Sequence, residues 1–294
     1  MLAFRHHYAS LPGRAAQYNE WGGDLVARIN HMAMNSPQWH MTAKFYEAVF
    51  GLRQSGKSSR PLNGVSVGDG YTGLNINPLR DGYVGGLDHF GMVVDSIEDA
   101  RERMQQRFGK AAIVKRPSTR PFAQYSAHDP DGNVFDLAEP KSKLSEIYAE
   151  QQGSGWSQDR YLNKFAIRTL NAEQCAEFYH EVFGLQLQNS GGERRGWHLT
   201  DGRVTLSILP WSIPIFENMS IKRPGPDHIG FKVENLASFK QHLDECAGAV
   251  SWLAPIRLGG SKEADARRDF LARSASGKLQ ISDPNAVWID ITDE

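Results

Sequence analysis

The sequence predicts an α+β fold made of four βαβββ modules, and three observations carry that reading. First, FYEAVFGLRQ from Phe45 and FYHEVFGLQL from Phe178 repeat one amphipathic pattern 133 positions apart. Second, LDHFGMVV from Leu87 and PDHIGFKV from Pro226 repeat a strand with a histidine in the same slot. Third, DPDGNVFD and DPNAVWID close the two halves with one turn-and-strand pattern. Self-similarity on this scale marks repeated supersecondary units rather than two unrelated domains.

The modules can be justified in chain order. Residues 29–34 alternate as a strand, with Ser36 placed as N-cap and Pro37 as the first residue of the next helix. Ala43, Phe45, Tyr46, Val49 and Phe50 then form an apolar stripe, and Gly51 ends the helix. GDGYTGLNINP supplies the later strands of module one, aligned with TDGRVTLSILP of module three so that Asn75 matches Ser207. Module two opens on residues 85–94, where Phe90, Met92 and Val94 fill one strand face and His89 takes the other. Its helix runs over 96–108. Module three repeats the stripe with Cys175, Phe178, Tyr179, Val182 and Phe183, behind an Asn171 cap and Gln174 in capping-box spacing. Module four has a helix over 236–247 and is the weakest repeat, least regular between Leu253 and Gln280. The segments after each helix read as antiparallel meanders.

The expected organisation is an N-terminal arm (1–24), a first domain (25–140, modules 25–80 and 85–140), a polar linker (141–160), and a second domain (161–294, modules 161–212 and 225–294). Composition excludes other classes. A formal net charge of -1 gives no basic face for nucleic acid, and no apolar run is long enough to span a bilayer. The first 14 residues lack the apolar stretch of a secretory signal, and Cys175 and Cys246 both fall on apolar helix faces as buried thiols. A cytoplasmic protein acting on a small molecule, as a monomer or a homo-oligomer, is the expectation.

Carrying DHFGMVV, FYEAVFGL and DPDGNVFDL, the four units resemble the vicinal oxygen chelate superfamily of glyoxalases, bleomycin-binding proteins and extradiol dioxygenases. The resemblance covers about residues 26–294. It implies that modules pair into two cupped, barrel-like sheets, with ligands on the first and last strands of each unit. Those slots are His31 and Asn75, His89 and Asp136, Lys164 and Ser207, His228 and Asp290. Parity within VFDLA supports Asp136 over Glu139, since Phe135 and Leu137 claim the helix side and leave Val134, Asp136 and Ala138 to the cavity.

Sequential pairing of modules gathers His31, His89 and Asp136. Pairing one with four would gather His31, His228 and Asp290 instead. Two imidazoles and one carboxylate with open positions suit a non-haem Fe(II) oxygenase, so Fe(II) is favoured, with Mn, Ni or Zn as the ions of a glyoxalase-type lyase. Asn75 is placed as a fourth ligand or substrate contact. Tyr125 and His128 are candidate proton donors, and Arg120 a candidate carboxylate clamp. In the second cavity Lys164 repels a divalent cation and can pair with Asp290, which makes Lys164, Ser207, His228 and Asp290 a degenerate site. The expected activity is a metal-dependent dioxygenase on a catechol-like diol. A redox-inert lyase or isomerase and a metal-free binding protein are the alternatives.

Overall fold

The computed structural model describes residues 27–54, 64–110, 112–117, 123–140, 159–190, 196–211, 224–256, 260–262, 265, 266, 268, 269 and 277–294. Module one contributes β1 (Arg28–Ser36), α1 (Trp39–Phe50), β2 (Arg53–Gln54), β3 (Val65–Gly68) and β4 (Gly73–Pro78). Module two contributes β5 (Gly86–Val93), α2 (Ile97–Phe108), β6 (Ile113–Lys115), β7 (Tyr125–His128) and β8 (Val134–Ala138). The second half repeats them as β9 (Tyr161–Thr169), α3 (Ala172–Phe183), β10 (Gln186–Ser190), β11 (Trp197–Thr200) and β12 (Thr205–Pro210), then β13 (Gly225–Lys232), α4 (Leu236–Ala249), β14 (Leu279–Ser282) and β15 (Trp288–Thr292). Module four thus has two strands after its helix among the described residues. The arm at 1–24, most of the linker, and Arg120 lie outside the described residues.

Hydrogen bonding resolves the pairing question. One mixed sheet runs β2-β3-β4-β1-β5-β8-β7-β6 and joins modules one and two, and the other runs β10-β11-β12-β9-β13-β15-β14 and joins three and four. Pairing within each sheet is therefore sequential. The helices cross between the halves. Phe50 of α1 stacks on Phe231 of β13 at 3.8 Å, and Phe183 of α3 meets Phe135 of β8 edge-on at 5.4 Å. One apolar core consequently runs through both halves.

Two expectations about helix starts are corrected. Ser36 ends β1, and α1 begins at Trp39 after a Gln38 that makes no side-chain cap. The Ser36 hydroxyl accepts from Gln38 N in the turn before the helix, meets Thr42 and donates to Asn285 of module four, the last a long-range demand that local capping rules do not contain. Asn171 stands at the N-cap position of α3 as expected, but its side chain makes no cap bond; its backbone and side-chain amides both donate to Asp131 of module two. Ser96 does cap α2, accepting from Asp99 N. The helix expected over 236–247 extends to Ala249 and is followed by Val250. Gly51 and Gly184 end α1 and α3 at φ 69°, where a Cβ would be strained.

The halves are latched by reciprocal buried contacts. Tyr179 of α3 donates to Asp129 in the turn before β8, and Tyr46 of α1 donates to Asp283 in the matching turn before β15. Asp69 accepts from Leu162 N, while Asp201 accepts from Ile29 N. Thus the FY and DP pairs of the repeat exist for each other across the chain. Burial holds both tyrosine hydroxyls well above their usual range, so they remain donors, and it pushes Asp283 up to about 6.

Removing either hydroxyl should cost about 1.5–3 kcal/mol, the worth of a hydrogen bond to a charged group. Urea unfolding of Tyr46→Phe and Tyr179→Phe measures it. Because Asp283 is harder to ionise in the fold than in the unfolded chain, its contribution is complete below pH ~4 and lost as pH rises towards 6. Wild type should therefore lose stability relative to Asp283→Asn between those values, and the difference should be flat above them.

Candidate metal centre

Three neighbouring strands build the site. β5 lies between β1 and β8, and its Gly91 faces His31 on one side and Asp136 on the other. Both histidine strands carry a bulge immediately before the histidine. The β1–β5 register skips Asn30 between Ile29 and His31, and skips Asp88 between His89 and Leu87. A bulge leaves one residue outside the ladder and lets it turn its side chain onto the same face as its neighbour. That residue then holds the ring: His31 Nδ1 donates to Asn30 Oδ1 at 2.9 Å, and His89 Nδ1 donates to Asp88 Oδ2 at 2.6 Å. With Nδ1 committed, each imidazole presents Nε2 to the cup.

The two Nε2 atoms converge on one carboxylate oxygen. Asp136 Oδ2 lies 3.1 Å from His89 Nε2 and 3.8 Å from His31 Nε2. Its other oxygen accepts from Arg116 Nη1 at 2.6 Å and from the Ser126 hydroxyl at 3.1 Å. Among the described residues, His31, His89 and Asp136 are the one group of three histidine, cysteine or acidic side chains close enough to share an ion. The donor set fits a divalent metal: two imidazoles oriented through Nδ1 and a carboxylate oriented through its second oxygen.

Gly91 adds a steric argument. A Cβ there would stand 2.0 Å from His31 Cε1 and 2.7 Å from its Nε2. The His31 ring therefore occupies the space that any other residue at position 91 would fill.

Electrostatics follow from this packing. Burial pushes His31 down despite Asp136. Burial also disfavours charge on His89, but the carboxylates of Asp136 and Asp88 outweigh it and raise the ring to about 9. Burial would raise Asp136, yet the two histidines hold it well below the usual carboxylate range. Without a metal the cluster is thus an imidazolium between two carboxylates, and a divalent ion would take the place of that proton.

The remaining candidates separate by strand parity. Asn75 is buried on β4 and its amide oxygen accepts from Ser66 at 2.5 Å. His128 pairs with Val134 two positions from Asp136 on the same face, exposed at the rim, with Nδ1 donating to Asp129 O. Tyr125 pairs with Leu137 and packs against the core, on the opposite face from Asp136. Arg116, Asp88, Asn30 and Ser126 belong to the cluster but carried no weight in the sequence reading. Asn30 and Asp88 had a signal there, since Asn163 and Asp227 precede the matching Lys164 and His228. Arg116 had none.

The second sheet repeats the frame with other chemistry. Lys164 Nζ reaches Asp290 Oδ2 at 2.6 Å, and Asp290 also accepts from Gly277 N and Gln280. His228 Nδ1 donates to Asp227, which is paired with Arg168. Ser207 is bonded to His198.

Comparison with known proteins agrees with this architecture. The family model of the Glyoxalase/Bleomycin resistance protein/Dioxygenase superfamily matches residues 28–137. No curated protein matches the sequence. Among solved structures, homoprotocatechuate 2,3-dioxygenase from Arthrobacter globiformis is 16% identical, with a TM-score of 0.60 over 91% of this chain and 79% of that one. The Mn(II)-bound glyoxalase from Novosphingobium aromaticivorans is 12% identical, with a TM-score of 0.58 over 91% and 83%. The 2,3-dioxygenase LapB from Pseudomonas sp. KL28 is 15% identical, with a TM-score of 0.55 over 91% and 92%. At these identities the likeness is one of fold. The match to the glyoxalase/bleomycin resistance protein/dioxygenase family model thus spans residues 28–137, which hold the whole His31–His89–Asp136 cluster, and the second half of the chain is built on the same plan.

Proposed function

We propose that this protein is a metal-dependent dioxygenase that acts on a small substrate with two adjacent oxygens, such as a catechol-like diol. The observation that carries the reading is the donor set itself: His31, His89 and Asp136 converge, and no further acidic or histidine side chain joins them among the described residues. Two imidazoles and one carboxylate are the set that suits ferrous iron. A ferrous ion held there would supply open positions for both substrate oxygens and for dioxygen. A second reading, a glyoxalase-type lyase with Mn, Ni or Zn, is supported by the Mn(II)-bound glyoxalase among the structural neighbours.

The chain's own groups have separable tasks. Asp88 and Asn30 fix the rings of His89 and His31. Arg116 and Ser126 occupy one oxygen of Asp136 and so leave the other for the ion. His128, with Nδ1 committed to a backbone carbonyl, keeps Nε2 to accept or return a substrate hydroxyl proton at the rim. The free thiols of Cys175 and Cys246 suit a reducing cytoplasm. No helix among the described residues is long and apolar enough to cross a membrane.

Elemental analysis after anaerobic purification tests the reading. About one iron per chain is expected in wild type and none in His89→Ala. Nickel, zinc or manganese bound through His89 would favour the lyase, and absence of metal from both proteins would overturn both readings. Two further variants divide the site. Gly91→Ala should lose the metal because the new methyl displaces His31, whereas His128→Ala should keep it. On a diol that wild type turns over, His128→Ala should slow oxygen uptake about 10²–10⁴-fold, the usual contribution of a general acid–base.

A further inference from the structure

The second sheet repeats the glycine, both bulges and the aspartate-held histidine of the first while changing one ligand. Gly230 of β13 sits between Lys164 and Asp290, as Gly91 sits between His31 and Asp136. A Cβ at Gly230 would stand 2.6 Å from Lys164 Cβ. The register skips Asn163 before Lys164 and Asp227 before His228, repeating both bulges. Asp227 holds His228 Nδ1 at 2.8 Å, as Asp88 holds His89.

Two polar atoms in this frame, Asn163 Oδ1 and His228 Nε2, have no hydrogen-bond partner among the described residues, and the second is the one aligned with a first-sheet imidazole. His228 is 3% exposed, and among the described residues its Nε2 meets no hydrogen-bonding group. With Nδ1 engaged by Asp227, Nε2 is the ring nitrogen left for a ligand. Burying such an atom unsatisfied is unfavourable, and a metal ligand is the role for which this geometry is made in the first sheet. On the adjoining strand β15, Asp290 already holds a cation: the Lys164 ammonium, 2.6 Å from its Oδ2, with both side chains buried.

We propose that the second sheet holds a metal site filled from within, in which the Lys164 ammonium stands in place of a divalent ion and His228 Nε2 and Asp290 are the two surviving ligands. The inference rests on reading the His31–His89–Asp136 cluster as a metal centre. The ammonium supplies the positive charge that the buried carboxylate requires, so this half stays charge-balanced with no ion bound. Wild type then binds one ion per chain, and the second site becomes available once position 164 offers a ligand instead of a charge. Asp290 fits this role electrostatically: burial would raise it, while Lys164 and His228 bring it down to about 2.

The test uses Mn(II) titration, read by loss of the free-ion paramagnetic resonance signal, on the full chain carrying His89→Ala to silence the first centre. Adding Lys164→His should restore about one bound Mn(II) per chain, and adding His228→Ala as well should abolish it. A Lys164→His protein with an unchanged circular dichroism spectrum that binds no Mn(II), or binding that survives His228→Ala, would overturn the proposal. Lys164→Gln in the same background gives a second readout should Lys164→His not fold. Its melting temperature should fall by roughly 5–15 °C on loss of the buried counter-ion and recover with Mn(II); a fall that Mn(II) does not reverse would count against the proposal. If wild type binds no metal, the first centre fails as a metal site, while the His89→Ala comparison still reports on the second sheet alone.

Discussion

Everything at the candidate centre depends on a side chain that is missing. Gly91 is the middle residue of three hydrogen-bonded strands, and the His31 ring lies in the volume its Cβ would occupy. The pleat alone would put His31 and Asp136 on the same face but keep a third side chain between them. Removing that side chain lets an imidazole on β1 and a carboxylate on β8 face each other across β5. The same missing side chain at Gly230 brings Lys164 against Asp290. A close approach on an otherwise rigid sheet is thus secured by one backbone choice, made twice.

The bulges supply the other half of the arrangement. An imidazole on a regular strand has its neighbours on the opposite face and nothing local to fix its ring. Asn30 and Asp88 reach the rings only because each lies outside the ladder. This fixes which nitrogen faces the cup, and it does so with the residue immediately before each histidine. Ring and holder are therefore encoded as dipeptides, Asn30-His31 and Asp88-His89.

Much of this was legible in the sequence, and the illegible parts share a cause. The repeat located His31, His89 and Asp136, and parity within VFDLA placed Asp136 opposite Phe135, which packs on Phe178 and Phe183. Periodicity works where a residue answers to its own strand. It fails where the partner is distant. Ser36 has the chemistry of a cap and accepts from Gln38 N, but its own proton goes to module four and α1 starts only at Trp39. Asn171 is drawn away by Asp131 in the same manner. Tyr125 reads as a site residue until the β7–β8 register sets it against Leu137. Arg116 joins Asp136 from just past the end of β6, with no repeat or spacing to announce it.

The reciprocal latches give the chain an unusual economy. Each half completes the other with the same pieces: a tyrosine from one α-helix seated on the aspartate of the other half's turn, and an aspartate from one meander on a backbone amide of the other's first strand. That is the exchange relation of an isologous dimer, in which each copy gives what it receives. The protein can be regarded as such a dimer with its subunits joined end to end, and the join fixes which half pairs with which at an effective concentration in the millimolar range. Once the halves are covalently committed, they need no longer be identical. One can keep a pair of imidazoles beside its carboxylate while its twin exchanges an imidazole for an ammonium, a divergence that a true homodimer, bound to mutate both copies at once, could not reach.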